Sequence, residues 1–211
     1  MDTVIIAIDG QASTGKSTQA KKIAKNLNYD YRDSGAYYRA ITHYLLDNDI
    51  KFDLSISDKI LNEINIKQTY KNGKFCIYLN DHDVTDRIRG HKISLNVSNY
   101  AKKPEIRKFV FNQLRKSVES NSLVVDGRDI GTVVFPDANF KFFLVAEPRV
   151  RAERRHQQIN DDSVKVDIIE EEIKQRDKID STREIAPLKK AKHPFKIDVS
   201  HPTIDQVYNI I

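Results

Sequence analysis

Thr3-Val4-Ile5-Ile6-Ala7-Ile8-Asp9 runs directly into Gly10-Gln11-Ala12-Ser13-Thr14-Gly15-Lys16-Ser17-Thr18, and a helical pattern continues from there to Leu27. The first segment is apolar at nearly every position. Strands covered on both faces read this way, as in a parallel sheet. The third segment carries Ala20, Ile23, Ala24 and Leu27 at spacings of three and four, the stripe of an amphipathic helix. Between them lies Gly, four residues, Gly, Lys, Ser: the Walker A spacing. Its glycines let the backbone curl so that successive N–H groups converge on phosphate oxygens. Lys16 then reaches the outer phosphates, Ser17 offers its hydroxyl to a metal, and the helix turns its positive end toward the anion. The fixed positions alone recur by chance about once per hundred chains of this size, given average residue usage. A buried strand immediately before and a helix immediately after make a surface glycine turn the poorer reading. Phosphate binding by Gly10 to Thr18 follows. The acceptor of any transferred phosphoryl does not.

Working outward, Tyr29–Asp33 reads as an extended piece, with Ser34 capping a helix through Leu46. Strand, helix, strand, helix in that order predicts βαβ units. Ile64–Tyr70 and Lys74–Leu79 flank Asn72-Gly73, a strong hairpin signal. Such a hairpin does not fit inside a parallel sheet, so residues 49–91 are expected to form a small antiparallel insertion. Helix is expected again from about Ile93, and Pro104 opens another helix to about Glu119. Leu123–Asp126, Phe140–Val145 and Phe195–Val199 read as strands; helices start at Pro148, near Val166 and at Thr203. The expected architecture is a three-layer α/β P-loop fold within one domain, 1–211: a central parallel sheet with helices on both faces. Residues 1–48, 92–146 and 184–211 would form the core, and 147–183 a helical lid with its following helix.

The 211 residues include 39% hydrophobic and 31% charged, enough for one sizeable core and too few for two full domains. One cysteine, Cys76, excludes a disulfide framework and a Cys-based zinc site. Met1-Asp2-Thr3 lacks the basic start of a secretory signal, and no apolar run approaches membrane-spanning length. A cytoplasmic protein is the expectation. The net charge of +5 admits two readings: a generally basic surface that attracts nucleic acid, or arginines gathered to hold several phosphates. The second is favoured because several arginines fall inside motifs.

Leu123-Val124-Val125-Asp126 ends an apolar run on a carboxylate, as in Walker B. Such an aspartate stands where α/β sheets bind ligands and can orient the waters of Mg²⁺. Three further segments carry a family likeness. Asp33-Ser34-Gly35-Ala36-Tyr37-Tyr38-Arg39, Asp126-Gly127-Arg128-Asp129-Ile130-Gly131-Thr132-Val133-Val134-Phe135-Pro136, and Arg176-Asp177-Lys178-Ile179-Asp180-Ser181-Thr182-Arg183 with Ala186-Pro187-Leu188 resemble, in order, the motifs of bacterial cytidylate kinases. With Walker A they span residues 9–188. That family also carries an antiparallel insert on its acceptor side.

The resemblance implies ATP as phosphoryl donor, Mg²⁺ as cofactor, and CMP or dCMP as acceptor. It implies that Arg39 and Arg128 grip the acceptor phosphate, bidentately as only guanidinium can, with Ser34 and Tyr38 lining the same pocket. Asp129 would accept from the cytosine amino group and repel the uracil carbonyl. Ser98 and Arg107 would meet the base's other polar atoms, Arg176 and Asp180 the sugar, and Arg183 the closed site. If its helix continues, Arg176, Asp180 and Arg183 share one face. Arg151, Arg154 and Arg155 follow the strand that ends near Ala146, and helical spacing aligns them toward one side. Arg154 or Arg155 is the expected lid arginine over the transferring group. Ser17, Asp33 and Asp126 are the expected Mg²⁺ site, the aspartates through water. Two departures stand out: Gln11 where the family has proline, and Arg32 where it has an apolar residue. Neither removes a reacting group.

Two rivals follow from the same residues. One is a P-loop kinase with another acceptor. The other is a nucleotide-sensing or nucleic-acid-binding module, which no base-stacking motif supports. No nucleic acid, no membrane and a monomer are the expectations.

Overall fold

The computed structural model describes residues 3–52, 56–71, 74–118, 121–159 and 163–211. Its elements, in chain order, are β1 (Ile5–Gly10), α1 (Lys16–Leu27), β2 (Asp30–Asp33), α2 (Ser34–Asp47), α3 (Asp58–Asn62), β3 (Ile66–Lys71), β4 (Lys74–Leu79), β5 (His82–Asp83), α4 (His91–Tyr100), α5 (Pro104–Lys116), β6 (Leu123–Gly127), β7 (Phe140–Val145), α6 (Pro148–Ile159), α7 (Val166–Thr182), β8 (Phe195–Asp198) and α8 (Ile204–Ile210). They divide into two compact units, Met1–Asp33 with Ser117–Ile211, and Ser34–Lys116.

The first unit holds a five-stranded, all-parallel sheet in the order β2-β6-β1-β7-β8. Ala7, Ile8, Leu123, Val124, Val125 and Leu144 are fully buried, which explains the unbroken apolar runs of β1 and β6. Register places Ile8 beside Asp126 and Asp126 beside Asp33. Three carboxyl-terminal strand ends therefore meet along one edge of the sheet, where such folds bind ligands. Helix α1 buries Ala20, Ile23 and Ala24 and packs on β1, β2, β6 and α8. Asn28 closes it in the left-handed conformation, φ 53°, its N–H bonding back to α1 carbonyls. Helices α6 and α7 pack on each other. Ala152, Ile169 and Ile173 form a small apolar cluster there that also takes in Ala12.

Between β1 and α1 the backbone turns through positive φ at Gly10 (151°), Ser13 (58°) and Gly15 (80°). Gly10 has a second constraint. A Cβ there would lie 2.2 Å from the Leu144 carbonyl oxygen, so the loop leaves the sheet by passing directly against β7.

The second unit contains the antiparallel sheet β3-β4-β5. In β4, Phe75, Ile77 and Leu79 are buried while Cys76 and Tyr78 are not, the alternation of a sheet with one covered face. The β3–β4 ladder runs out to Lys71 opposite Lys74; the expected Asn72-Gly73 turn lies outside the described residues. Helix α2 packs on α4 and α5, with Ile41, Leu45, Ile88, Ile106 and Val110 at the centre of the unit. The unit includes helices on both sides of the 49–91 stretch.

Some local expectations shift. Ser34 is the first residue of α2 rather than its cap. Helix α4 starts at His91, two residues before Ile93. Helix α5 ends at Lys116, and Glu119 lies outside the described residues. Helix α7 stops at Thr182, and Arg183 is extended at φ −61°, ψ 143°, so Arg183 does not share a helical face with Arg176 and Asp180. Strand β8 ends at Asp198, although Val199 N–H still bonds to Val145 O at 2.8 Å.

Candidate active site

The P-loop carries its lysine inward. Lys16 is buried, and its Nζ donates to Gln11 O at 2.5 Å and to Thr14 Oγ1 at 3.3 Å. Burial, and then the charge of Arg128, hold its pKa well below the usual lysine range. Thr14 Oγ1 also donates to Gln11 O at 3.0 Å. The N–H of Ala12 is donated elsewhere, to Asp177 Oδ1 at 3.1 Å.

At the ends of β6 and β2, Asp126 accepts from Ser17 Oγ at 2.8 Å and from Tyr31 OH at 2.6 Å. Burial first, and then the charge of Asp33, raise the Asp126 pKa to about 6; the Tyr31 hydrogen bond, Lys16 and Ser17 pull it back. Among the described residues no group of three or more His, Cys, Asp or Glu side chains is placed to hold a metal ion by itself. A hydroxyl and two adjacent carboxylates still suit a hard divalent ion that keeps most of its waters, which is the habit of Mg²⁺. A cation would also relieve the repulsion between the paired aspartates.

Cations converge on the same edge. Arg128 Nε donates to Asp180 Oδ2 at 2.9 Å. Arg176 is lowered to about 10 by burial first and by Arg128 next, with Arg155 adding to it. Arg176 Nε is buried with no hydrogen-bond partner among the described residues. Arg128 and Arg176 thus act against the charge of Lys16, and Arg128 and Arg155 against that of Arg176, although Asp177 and Asp180 offset part of this; Arg128 itself, paired with Asp180, is raised. Packing cations this closely costs free energy that an anion would return.

The structure separates the three α6 arginines, which a helical wheel placed on one side. Their stems are long enough to reach different partners. Arg151 is 1% exposed and bonds to Ala146 O, Ala12 O and Asp177. Arg154 donates to Val199 O at 2.7 Å and Ser200 O at 3.3 Å, beyond β8. Arg155 stands in the field of Arg176. Although it lies beyond α7, Arg183 donates to Asp129 Oδ1 at 3.3 Å and approaches Asp180 Oδ1 at 3.9 Å. Asp129, Asp180 and Arg183 are all buried.

In the second unit, Arg39 donates to Ser94 Oγ at 3.2 Å. The Arg107 guanidinium lies 5.5 Å from the Tyr38 ring centroid and bonds to Ala101 O at 3.3 Å. Ser34, Ser98 and Arg107 are buried. Helices α2, α4 and α5 therefore gather the expected base and phosphate ligands of this unit.

Four residues with structural roles here were not singled out from the sequence: Asp9, Tyr31, Arg151 as a buried clamp, and Asp177. The argument applied to Asp126, a carboxylate ending a buried strand, applies equally to Asp9. Its two oxygens accept from Ile130 N–H at 2.8 Å and Gly131 N–H at 2.7 Å. They thereby fix the turn of π-helix, Ile130–Val134, that follows Arg128-Asp129. Burial outweighs those two bonds; Asp129 pushes the same way, Lys16 against, and the pKa rises to about 7. The folded chain keeps this proton to higher pH than the unfolded chain, whose aspartate titrates near 4. The contribution of Asp9 to stability is therefore complete below about pH 4 and is lost as pH rises through 7. Urea unfolding in metal-free buffer between pH 4.5 and 8 should show this decline. The Asp9→Asn protein should lack that share of the slope, while Asp126 supplies its own share to both proteins. Parallel profiles would show that Asp9 is ionised throughout.

A family model for cytidylate kinase matches residues 6–211. Relatives named cytidylate kinase from Fusobacterium nucleatum subsp. nucleatum, Streptococcus pyogenes serotype M5 and Clostridioides difficile are 46%, 43% and 42% identical. The matches cover 100%, 100% and 98% of this chain and 96%, 95% and 95% of the relatives. Among solved structures, an uncharacterized protein from Eubacterium ventriosum is alike in fold. Its TM-score is 0.55 at 16% identity, over 99% of this chain and 96% of that one. Similarity at this level over nearly the full length, in a parallel sheet whose edge gathers a P-loop lysine, paired aspartates and buried arginines, places the chain in the cytidylate kinase family.

Proposed function

We propose that the protein transfers the γ-phosphoryl of ATP to CMP, and to dCMP, giving the diphosphates of pyrimidine nucleotide metabolism. One observation carries the reading beyond family membership: Lys16, Arg128 and Arg176 are packed together at the carboxyl edge of the sheet against their mutual repulsion, beside a hydroxyl–carboxylate pair. Such an arrangement is built for a polyanion.

The acceptor phosphate is already an ionised nucleophile near neutral pH, its second pKa being about 6. No general base is required, so catalysis rests on alignment and charge neutralisation. Gly10, Gln11, Ser13, Thr14, Gly15 and Thr18 form the donor cradle with Lys16 and Ser17, which exchange protein partners for phosphate and metal. Ala12 serves the cradle by its fixed position. Mg²⁺, held by Ser17 and through water by Asp33 and Asp126, would neutralise charge on the donor phosphates. Arg39 and Arg128 take the acceptor phosphate. Ser34 and Tyr38 line its pocket, Asp129, Ser98 and Arg107 read the base, and Arg176 and Asp180 the sugar, with Arg183 supporting Asp129. Arg155 is the better placed of the two lid candidates, because it acts on Arg176 at the site while Arg154 turns to Val199 and Ser200 beyond β8. A monomer acting in the cytoplasm completes the proposal; among the described residues no helix is long and apolar enough to cross a membrane.

A coupled ADP-release assay across CMP, dCMP, UMP, AMP and shikimate tests the reading. Turnover should be fastest on CMP and dCMP, and slower on UMP by roughly 5- to 150-fold, because one unpaired buried group costs roughly 1–3 kcal/mol. Fastest turnover on AMP or shikimate would assign a different acceptor. Salt-sensitive RNA binding without ADP production would replace the enzyme by a binding module.

A further inference from the structure

Ala12 is held from every side. Its methyl group lies in the apolar cluster of Ala152, Ile169 and Ile173, between α6 and α7. Its N–H donates to Asp177 Oδ1 at 3.1 Å, and its carbonyl accepts from Arg151 Nη1 at 3.1 Å. Arg151 and Asp177 close the bracket on each other at 2.5 Å. Arg151 Nε is tied in addition to Ala146 O at 3.0 Å, where the chain leaves β7. The guanidinium is thereby oriented by partners on three sides. An arginine buried to this degree is retained only where its donors are met.

The same helix reaches further. Three residues after Asp177, Asp180 accepts from Arg128. The P-loop peptide and an acceptor arginine are thus both fastened to α7, on residues a single turn apart.

We propose that Arg151 and Asp177 are positioning residues of the phosphoryl transfer. They hold the Ala12 peptide so that the donor loop and the α6–α7 pair move as one body, setting the loop in register with Arg128 through Asp180. Neither side chain need touch the substrates. The inference rests on the proposed transfer reaction for its kinetic consequence, but its physical content does not: Ala12 N–H is a bonded amide inside a catalytic loop.

Asp177→Asn is the informative variant, since it preserves shape but leaves a single acceptor oxygen for two donors. Residue 177 then loses either its bond from Arg151 Nη1 or its bond from Ala12 N–H, and the bracket opens. A displacement of about 1 Å at the donor phosphates lowers kcat by about 10²-fold, and that loss is the expected result, with KM for CMP changed less than threefold. Arg151→Lys should give a similar loss. The double variant should be little worse than either single one, since all three changes break one bracket. Amide exchange is read on the protein without substrates: Ala12 N–H should be protected in the natural protein and exchange at least tenfold faster in Asp177→Asn. Two outcomes overturn the proposal. One is a lowered Tm with kcat within twofold of the natural protein at a temperature where both are folded; the other is an Ala12 amide that exchanges freely in the natural protein. If the natural protein does not phosphorylate CMP, the function reading fails while the exchange measurement still decides the bracket.

Discussion

Lys16→Ala should lower kcat by about three orders of magnitude while the protein remains folded. Lys16 Nζ is the buried ammonium of the P-loop, and its partners are Gln11 O and Thr14 Oγ1 rather than a carboxylate. Its removal strands no buried anion. It relieves repulsion from Arg128 and Arg176 and gives up the attraction of Asp126 and Asp177, two effects that oppose each other, so the variant should unfold at about the same urea concentration as the natural protein. What it loses is charge stabilisation where negative charge shifts during transfer. One preorganised donor in a water-excluded site is worth about 10²–10³ in kcat, and a full positive charge stands at the upper end. Steady-state ADP release with CMP, alongside urea unfolding, checks both halves. An active Lys16→Ala enzyme would refute the transfer mechanism outright.

Arg128→Ala should be nearly as damaging, but by a different route. Arg128 pairs with Asp180, and both are largely buried. Removing one partner of a buried pair typically costs 3–5 kcal/mol; Arg183, 3.9 Å from Asp180, and the field of Arg176 soften that here. The expected result is a fall in kcat/KM for CMP of at least 10²-fold with a measurably lower Tm. Arg128→Lys separates the two effects. It restores a charge beside Asp180 and much of the stability, but not the planar two-bond grip on phosphate, so kcat/KM should recover far less than Tm. Recovery of both together would mean that Arg128 acts only as a charge.

The sheet and its flanking helices were legible because burial writes itself into residue pattern. Strand β1 and strand β6 are covered on both faces, and α1 runs from Lys16 to Leu27 with Ala20, Ile23 and Ala24 of its expected stripe buried, although Leu27, at the end of the helix, is exposed. Elements too short for a period were not legible. Helix α3, Asp58–Asn62, shows only the Ser57 cap that bonds Ile60 N–H, and β5 is two residues long. The turn at Ile130–Val134 was invisible for another reason. Its shape depends on Asp9, 121 positions earlier, accepting two amides, and no local window contains that pair. Within the candidate site, the Walker A spacing pointed to Lys16 and Ser17, the strand-ending carboxylate to Asp126 and the family resemblance to Arg128, and these four lie near one another. None of these could show which α6 arginine turns inward. Spacing specifies the face of a helix, whereas the destination of a long side chain depends on carbonyls and carboxylates contributed from elsewhere, here Ala12, Asp177, Val199 and Ser200.

Gly10 shares the donor cradle with Lys16 but answers to a second demand as well: nothing larger fits beside the Leu144 carbonyl. A descendant of this chain that had abandoned catalysis could discard Lys16 and keep its architecture; it could not discard Gly10 so cheaply. The glycine that opens the fingerprint therefore certifies ancestry of the scaffold, and the lysine six positions later certifies that the scaffold is still in use.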